Sequence, residues 1–131
     1  MADLNALKQK YQPVIDVIQK FSAEGAKVED VSLAGEQLHL KATVPSKVVL
    51  NRVWDEIKKV DPNYADLKHE IINTGGDTQS YTIQNGDNLS RISQRFYGDA
   101  KFYNEIVKAN HISDPDKIRA GEQIQIPARA A

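Results

Sequence analysis

No cysteine occurs among the 131 residues, which excludes disulfides, thiolate metal sites and a cysteine nucleophile. Long apolar runs are also missing. The longest near candidate, Val48-Val49-Leu50, falls far short of the roughly 18 apolar residues that suggest a membrane span. Neither sign of charge is in excess: 17 Lys and Arg stand against 18 Asp and Glu, for a net charge of −1. The balance holds locally, with ten basic and eleven acidic side chains in residues 1–74 and seven of each in residues 77–131. A nucleic-acid partner calls for Lys and Arg gathered in one place to neutralise phosphates, and no segment gathers them. The opening Met1-Ala2-Asp3-Leu4-Asn5 lacks the basic segment and the run of about 7 to 15 apolar residues that a secretory leader needs, so a cytoplasmic location is expected.

Catalytic constellations are scarce too. His39, His69 and His111 lie far apart, without the close helical pairing of a zinc site, and each reads as a strand or helix-end residue. Asp114-Pro115-Asp116 lacks the glycine and distal glutamate of a calcium loop, and Asp114 reads better as the cap of a turn. Glu29-Asp30 and Asp55-Glu56 are neighbouring carboxylates on solvated faces. A non-enzymatic protein without an organic cofactor is expected. With 40% apolar and 27% charged residues the chain has the make-up of an ordinary folded protein.

What is present is two patterned stretches separated by Asn73-Thr74-Gly75-Gly76-Asp77-Thr78-Gln79-Ser80, eight polar or glycine residues with the composition of a flexible linker. In the first stretch Leu4, Leu7, Tyr11, Val14, Ile18 and Phe21 recur at spacings of three and four, the stripe of one helix. Pro13 interrupts it, so either a kink lies there or the main helix starts near it. The proline and the strands that follow favour packing on a sheet over a coiled-coil dimer, and a monomer is expected. Val31 and Leu33, then Leu38, Leu40, Ala42 and Val44, alternate with polar neighbours about a turn at Ala34-Gly35-Glu36: a hairpin with one buried face. Ser46 caps a helix with Val49, Val53, Trp54, Ile57 and Val60 on its apolar face, Asp61-Pro62-Asn63 ends it, and Leu67 and Ile71 mark a third strand. The expected order is αββαβ, two helices on one face of a small sheet.

That order, with Leu38-His39-Leu40-Lys41-Ala42-Thr43-Val44-Pro45-Ser46 running into an amphipathic helix, resembles the BON domain of bacterial proteins over residues 28–72. Ala42 stands where that family usually has glycine, and Asp61-Pro62-Asn63-Tyr64 replaces its usual Gly-Val turn. The resemblance implies lipid or ligand binding, as in some members.

In the second stretch Tyr81-Thr82-Ile83-Gln84 reads as a strand and Asn85-Gly86-Asp87 as a turn. Asn88 caps a helix with Leu89, Ile92 and Phe96, ended by Gly98; Asp99 caps another with Phe102, Tyr103, Ile106 and Val107 inward, closed by Asn110. Gly121 turns the chain into Gln123-Ile124-Gln125-Ile126. Tyr81-Thr82-Ile83 followed by Gly86-Asp87-Asn88-Leu89-Ser90-Arg91-Ile92-Ser93 resembles the opening of a LysM domain. Phe96-Tyr97-Gly98-Asp99, Ile106-Val107-Lys108-Ala109-Asn110, Asp116-Lys117-Ile118 and Gly121-Glu122-Gln123-Ile124-Gln125-Ile126-Pro127 continue the match. Ala120 stands where a proline commonly precedes the glycine.

The resemblances imply an α+β chain: an αββαβ BON-like domain over 1–74, a glycine-containing linker over 75–80, and a βααβ LysM domain over 81–128. The LysM likeness implies binding of N-acetylglucosamine polymers such as peptidoglycan or chitin in a shallow groove between two loops. By that likeness the loops hold Gly86, Asp87, Asn88 and Leu89 on one side and Ile118, Arg119, Ala120 and Gly121 on the other. Glycines would expose backbone groups to acetamido and hydroxyl partners, and Leu89 and Ile118 would offer apolar contact. The same four glycine and apolar positions also suit plain turns and core. The order BON-like then LysM-like further resembles small cytoplasmic bacterial potassium-binding proteins, which implies potassium as an alternative ligand, held by carbonyl oxygens that leave no side-chain signature.

Overall fold

The computed structural model describes residues 3–129. The leader reading rests in part on Met1 and Ala2, which lie outside the described residues. The class is α+β, as expected.

Asp3 opens α1 (Leu4–Lys10) by accepting a hydrogen bond from the Asn5 N–H. The helix breaks at Tyr11, and α2 (Gln12–Lys20) begins with Pro13 in its first turn, where a missing N–H leaves no bond unmade. The interrupted stripe therefore survives as two helices. Leu4 and Leu7 pack half-buried against the core while Tyr11, Val14, Ile18 and Phe21 are fully buried. A short 3-10 turn, Ser22–Glu24, leads into β1 (Lys27–Ala34).

β1 pairs antiparallel with β2 (Gln37–Val44), and β2 pairs in parallel with β3 (Leu67–Asn73), with α3 (Lys47–Val60) as the crossover that a parallel pair requires. β2 is central, so its alternation is the cleanest. Leu38, Leu40, Ala42 and Val44 are fully buried, and the residues between them face outward. In β1 the register shifts between Val28 and Asp30, and Leu33, read as a buried position, is 42% exposed at the outer strand. Ser46 caps α3 as expected, its Oγ accepting from the Val49 N–H at 3.3 Å. Val49, Val53 and Ile57 form the buried face, while Trp54 sits half-buried and edge-on to Tyr64 and His69.

The stretch expected to be a flexible linker is tied down. The Thr74 N–H donates to the Val44 carbonyl and the Lys47 N–H to the Gly76 carbonyl, each at 2.9 Å. A Cβ on Gly75 would lie 1.9 Å from the Pro45 carbonyl oxygen. β4 (Gln79–Thr82) already starts inside the expected linker.

After β4 come α4 (Leu89–Tyr97), capped by Asn88 and ended by Gly98 at φ +79°, a 3-10 turn at Ala100–Phe102 capped by Asp99, α5 (Tyr103–Asn110) and β5 (Gln123–Ile126). β4 and β5 form a two-stranded antiparallel ribbon. Asn110 does more than close its helix. Its amide donates to the Gln125 carbonyl at 2.7 Å and accepts from the Gln125 N–H at 2.8 Å, tying β5 to α5. The two halves share one core, with the Phe21 and Phe96 rings 5.3 Å apart.

Two stability outcomes follow from these contacts. Gly75→Ala forces a methyl into the Pro45 carbonyl and should lower unfolding free energy in urea by about 1–3 kcal/mol, while Gly76→Ala, with open space beside it, should stay within about 0.5 kcal/mol. Equal values for the two would contradict the tied-down turn. The second outcome concerns Asp66. Burial opposes its ionisation, but hydrogen bonds from Lys10 at 2.7 Å and from the Tyr11 hydroxyl outweigh that and hold its carboxyl below the ordinary value of 3.8. A depressed carboxylate stabilises the fold above its unfolded pKa and loses that contribution as pH falls through its folded pKa. Asp66→Asn should therefore cost stability at pH 7 and narrow the gap to wild type below about pH 4. A gap unchanged between pH 7 and pH 3 would argue against the assignment.

Candidate functional site

Because β4 and β5 run antiparallel, the residues leaving β4 and those entering β5 meet at one end of the ribbon, with Thr82 opposite Gln123. One residue further, the Ile83 N–H donates to the Glu122 carbonyl and the Ile83 carbonyl accepts from the Gly121 N–H, both at 2.8 Å. The two expected loops, 86–89 and 118–121, thus spring from the same end.

The first loop is built by Asp87. One of its oxygens, Oδ2, accepts from the Gln84 N–H at 2.7 Å and from the Tyr81 hydroxyl at 2.5 Å, while the Asp87 N–H returns a bond to the Gln84 carbonyl at 3.1 Å. Burial, then the hydrogen bond to Asp87 and its charge, pushes the Tyr81 phenol up to about 12, so at neutral pH it remains a proton donor. Gly86 has φ +86°, a backbone region that strains any side chain, and Asn88 is committed to capping α4 by accepting from the Arg91 N–H at 2.8 Å.

The second loop follows an Asp114 turn, in which Oδ1 accepts from the Asp116 N–H at 3.0 Å and the Asp114 carbonyl accepts from the Lys117 N–H at 3.0 Å. Gly121 turns the chain at φ +91°. Nothing lies within 4 Å of where a Cβ would stand on Gly86 or Gly121, so each glycine serves the backbone turn and leaves open space beside it.

The eight expected residues separate clearly by exposure. Gly86, Asn88, Arg119, Ala120 and Gly121 are exposed, and Asp87 and Ile118 are half-buried. Leu89 is a correction: at 2% exposure its side chain lies in the core beside Ile92 and Phe96 and has no apolar surface left for a ligand. Of the two apolar residues only Ile118 keeps exposed surface. The side chains of Asp87 and Asn88 are occupied in shaping the loop, whereas the N–H groups of Gly86, Asn88 and Ala120 have no acceptor among the described residues. A depression of about 330 Å³ is lined by Ile118 with Ile83, Asn110, His111, Asp114 and Glu122, but by no residue of 86–89, so of the two loops it touches only the second.

His39 lies in β2, His69 in β3, and His111 ends α5 at φ +52°. No group of three or more His, Asp or Glu able to hold a metal ion occurs among the described residues. None of the described helices is long and apolar enough to cross a membrane. What sequence reasoning missed is the support behind the first loop. Tyr81 read as a strand residue opening the LysM-like segment, with no role for its hydroxyl, and Arg95, which packs against it, carried no signal.

Comparison with known proteins gives this geometry a family. Residues 81–127 match the LysM domain family. The chain is similar to an uncharacterized protein of Deinococcus radiodurans, 46% identical over 52 residues, covering 40% of this chain and 20% of that protein. It is likewise similar to the potassium binding protein Kbp of Escherichia coli, 46% identical over 52 residues, covering 38% of this chain and 35% of that protein. An esterase of Mycobacterium tuberculosis is 36% identical over 67 residues, covering 51% of this chain and 14% of the esterase. The chain thus spans about a third or less of the length of these curated relatives. The 47 residues from Tyr81 to Pro127 are a LysM domain.

Proposed function

We propose that this protein binds N-acetylglucosamine-containing glycans such as peptidoglycan, without catalysis, through residues 86–88 and 118–121 of its LysM domain. The observation that carries this reading is that both glycine turns leave the same end of the β4–β5 ribbon, within a LysM domain. The chemistry suits an acetamido sugar. Unengaged N–H groups at Gly86, Asn88 and Ala120 meet carbonyl and hydroxyl acceptors, Arg119 adds charged donors, and Ile118 offers a half-buried apolar face to a methyl group or a sugar ring. Each net hydrogen bond contributes about 0.5 to 1.5 kcal/mol, so a handful of them places a short oligosaccharide at roughly millimolar to ten-micromolar affinity. The N-terminal unit over 1–74 is read as BON-like and as a scaffold for this domain. Its support is the order of helix and strand and the parallel β2–β3 pair.

Potassium binding is the second reading, favoured by the likeness to the Escherichia coli protein. That likeness covers 38% of this chain and 35% of that protein, and it supports a shared segment rather than an ion site.

Calorimetric titration with chitotetraose tests the first reading. Ile118→Ala should weaken binding by about three- to tenfold and cost about 1 kcal/mol of stability, because its side chain is half-buried against the core and half open to a ligand. Leu89→Ala should instead destabilise the fold by about 2–5 kcal/mol, as a core truncation does. Absence of binding by the wild type at millimolar sugar would sink the proposal. A higher melting temperature in KCl than in NaCl at equal ionic strength would speak for the second reading, since an ion held only by the folded state raises it.

A further inference from the structure

We infer that the N-terminal unit takes part in ligand recognition by bracing the first loop, with Glu24 and Arg95 as positioning residues that act through Tyr81 and Asp87. The inference rests on the glycan reading and adds to it a dependence of the LysM site on the other half of the chain.

The contacts form one continuous path. Arg95, on α4, reaches across the seam between the two halves. Its two terminal nitrogens grip the two carboxylate oxygens of Glu24, Nη2 to Oε2 at 3.0 Å, and Nη2 also donates to the Lys20 carbonyl at 3.0 Å. The Glu24 side chain is only 9% exposed. The guanidinium lies 5.0 Å from the Phe21 ring, 5.1 Å from Phe96 and 5.8 Å from Tyr81, so aromatic faces from both halves enclose it. Tyr81 in turn packs edge-on to Phe96 at 5.4 Å and directs its hydroxyl to Asp87 Oδ2, the oxygen that also holds the Gln84 N–H. Asp87 is the residue that builds the loop carrying Gly86 and Asn88.

Each link has a physical reason to transmit a change at the next. A bidentate carboxylate fixes the plane of a guanidinium as well as its position, and a guanidinium so fixed forms a flat wall for the ring beside it. With the charge on Glu24 removed, Arg95 retains a carbonyl partner but loses its orientation. Tyr81 then loses one wall of its slot, and its hydroxyl is the group that sets the Asp87 carboxylate. The Tyr81 phenol already registers both partners, since the charge on Arg95 favours its ionised form and that on Glu24 opposes it. The outer side of the seam is open, with a concavity of about 620 Å³ lined by Ala23, Glu24, Tyr81, Gln84 and Arg95, so the pair can change without breaching the core.

The test uses the full chain as wild type, Glu24→Gln, Tyr81→Phe and the double variant, each titrated with chitotetraose and each followed by its amide resonances without ligand. Glu24→Gln should weaken binding by about fivefold or more, move the Gln84 and Asp87 amides before any sugar is added, and leave the Gly121 amide in place. Tyr81→Phe keeps the ring and removes only the hydroxyl. In its background Glu24→Gln should weaken binding by less than twofold further, because the path is already cut. Arg95→Lys, which keeps the charge and loses the fork, should behave like Glu24→Gln and serves if that variant folds poorly. Wild-type affinity in Glu24→Gln, or effects of the two substitutions that multiply independently, would overturn the inference and leave the glycan reading standing. A wild type that does not bind chitotetraose would bring both down.

Discussion

Ile83 carries the constraint on which the C-terminal half depends. Both of its backbone groups bond to the segment just before β5, and this pairing fixes the register of the ribbon. Ile124 and Ile126 are then buried while Gln123 and Gln125 point out. A slip of one residue would exchange those faces and leave two isoleucines in water, so the register is strongly held. The position of both glycine turns follows from it. The geometry of the proposed site is thus a by-product of a buried β pair, and the loops need little interaction with each other to stay in place.

Around that pairing the loops are stiffened by their own side chains. Asp87 and Asn88 satisfy N–H groups of the turn and of the first turn of α4, and Asp114 does the same ahead of the second loop. Side chains that shape a loop are thereby withdrawn from ligand contact, and the proposed recognition surface is largely backbone with Ile118 and Arg119. Such a surface suits a repeating, uncharged polymer better than a densely charged one.

Much of this was legible in the residues. Asn88 and Gly98 as the bounds of α4, Asp99 as a cap, Ser46 as the cap of α3 and the alternation of β2 all appear where local chemistry places them. These features depend on neighbours in sequence. The rest depended on contacts between distant residues. Leu89 followed the family pattern of a loop position, yet it is also the first apolar residue of an amphipathic helix, and burial of that face decided its place. The stretch at Gly75 and Gly76 had a linker's composition, but its glycines also permit the close approach to Pro45 that ties it down. Leu33 kept the alternation of a strand and lies exposed because β1 is an outer strand with a shifted register. The ion pair of Arg95 with Glu24 spans 71 positions, and neither residue sits in a motif.

The central claim is that one ligand touches two loops brought together by the Ile83 pairing. Amide shift mapping of the labelled full chain during a chitotetraose titration tests it most directly. The account requires residues 86–88 and 118–121 to shift together along a single binding curve. Shifts confined to one loop, or centred on the outer face of α3, would contradict it.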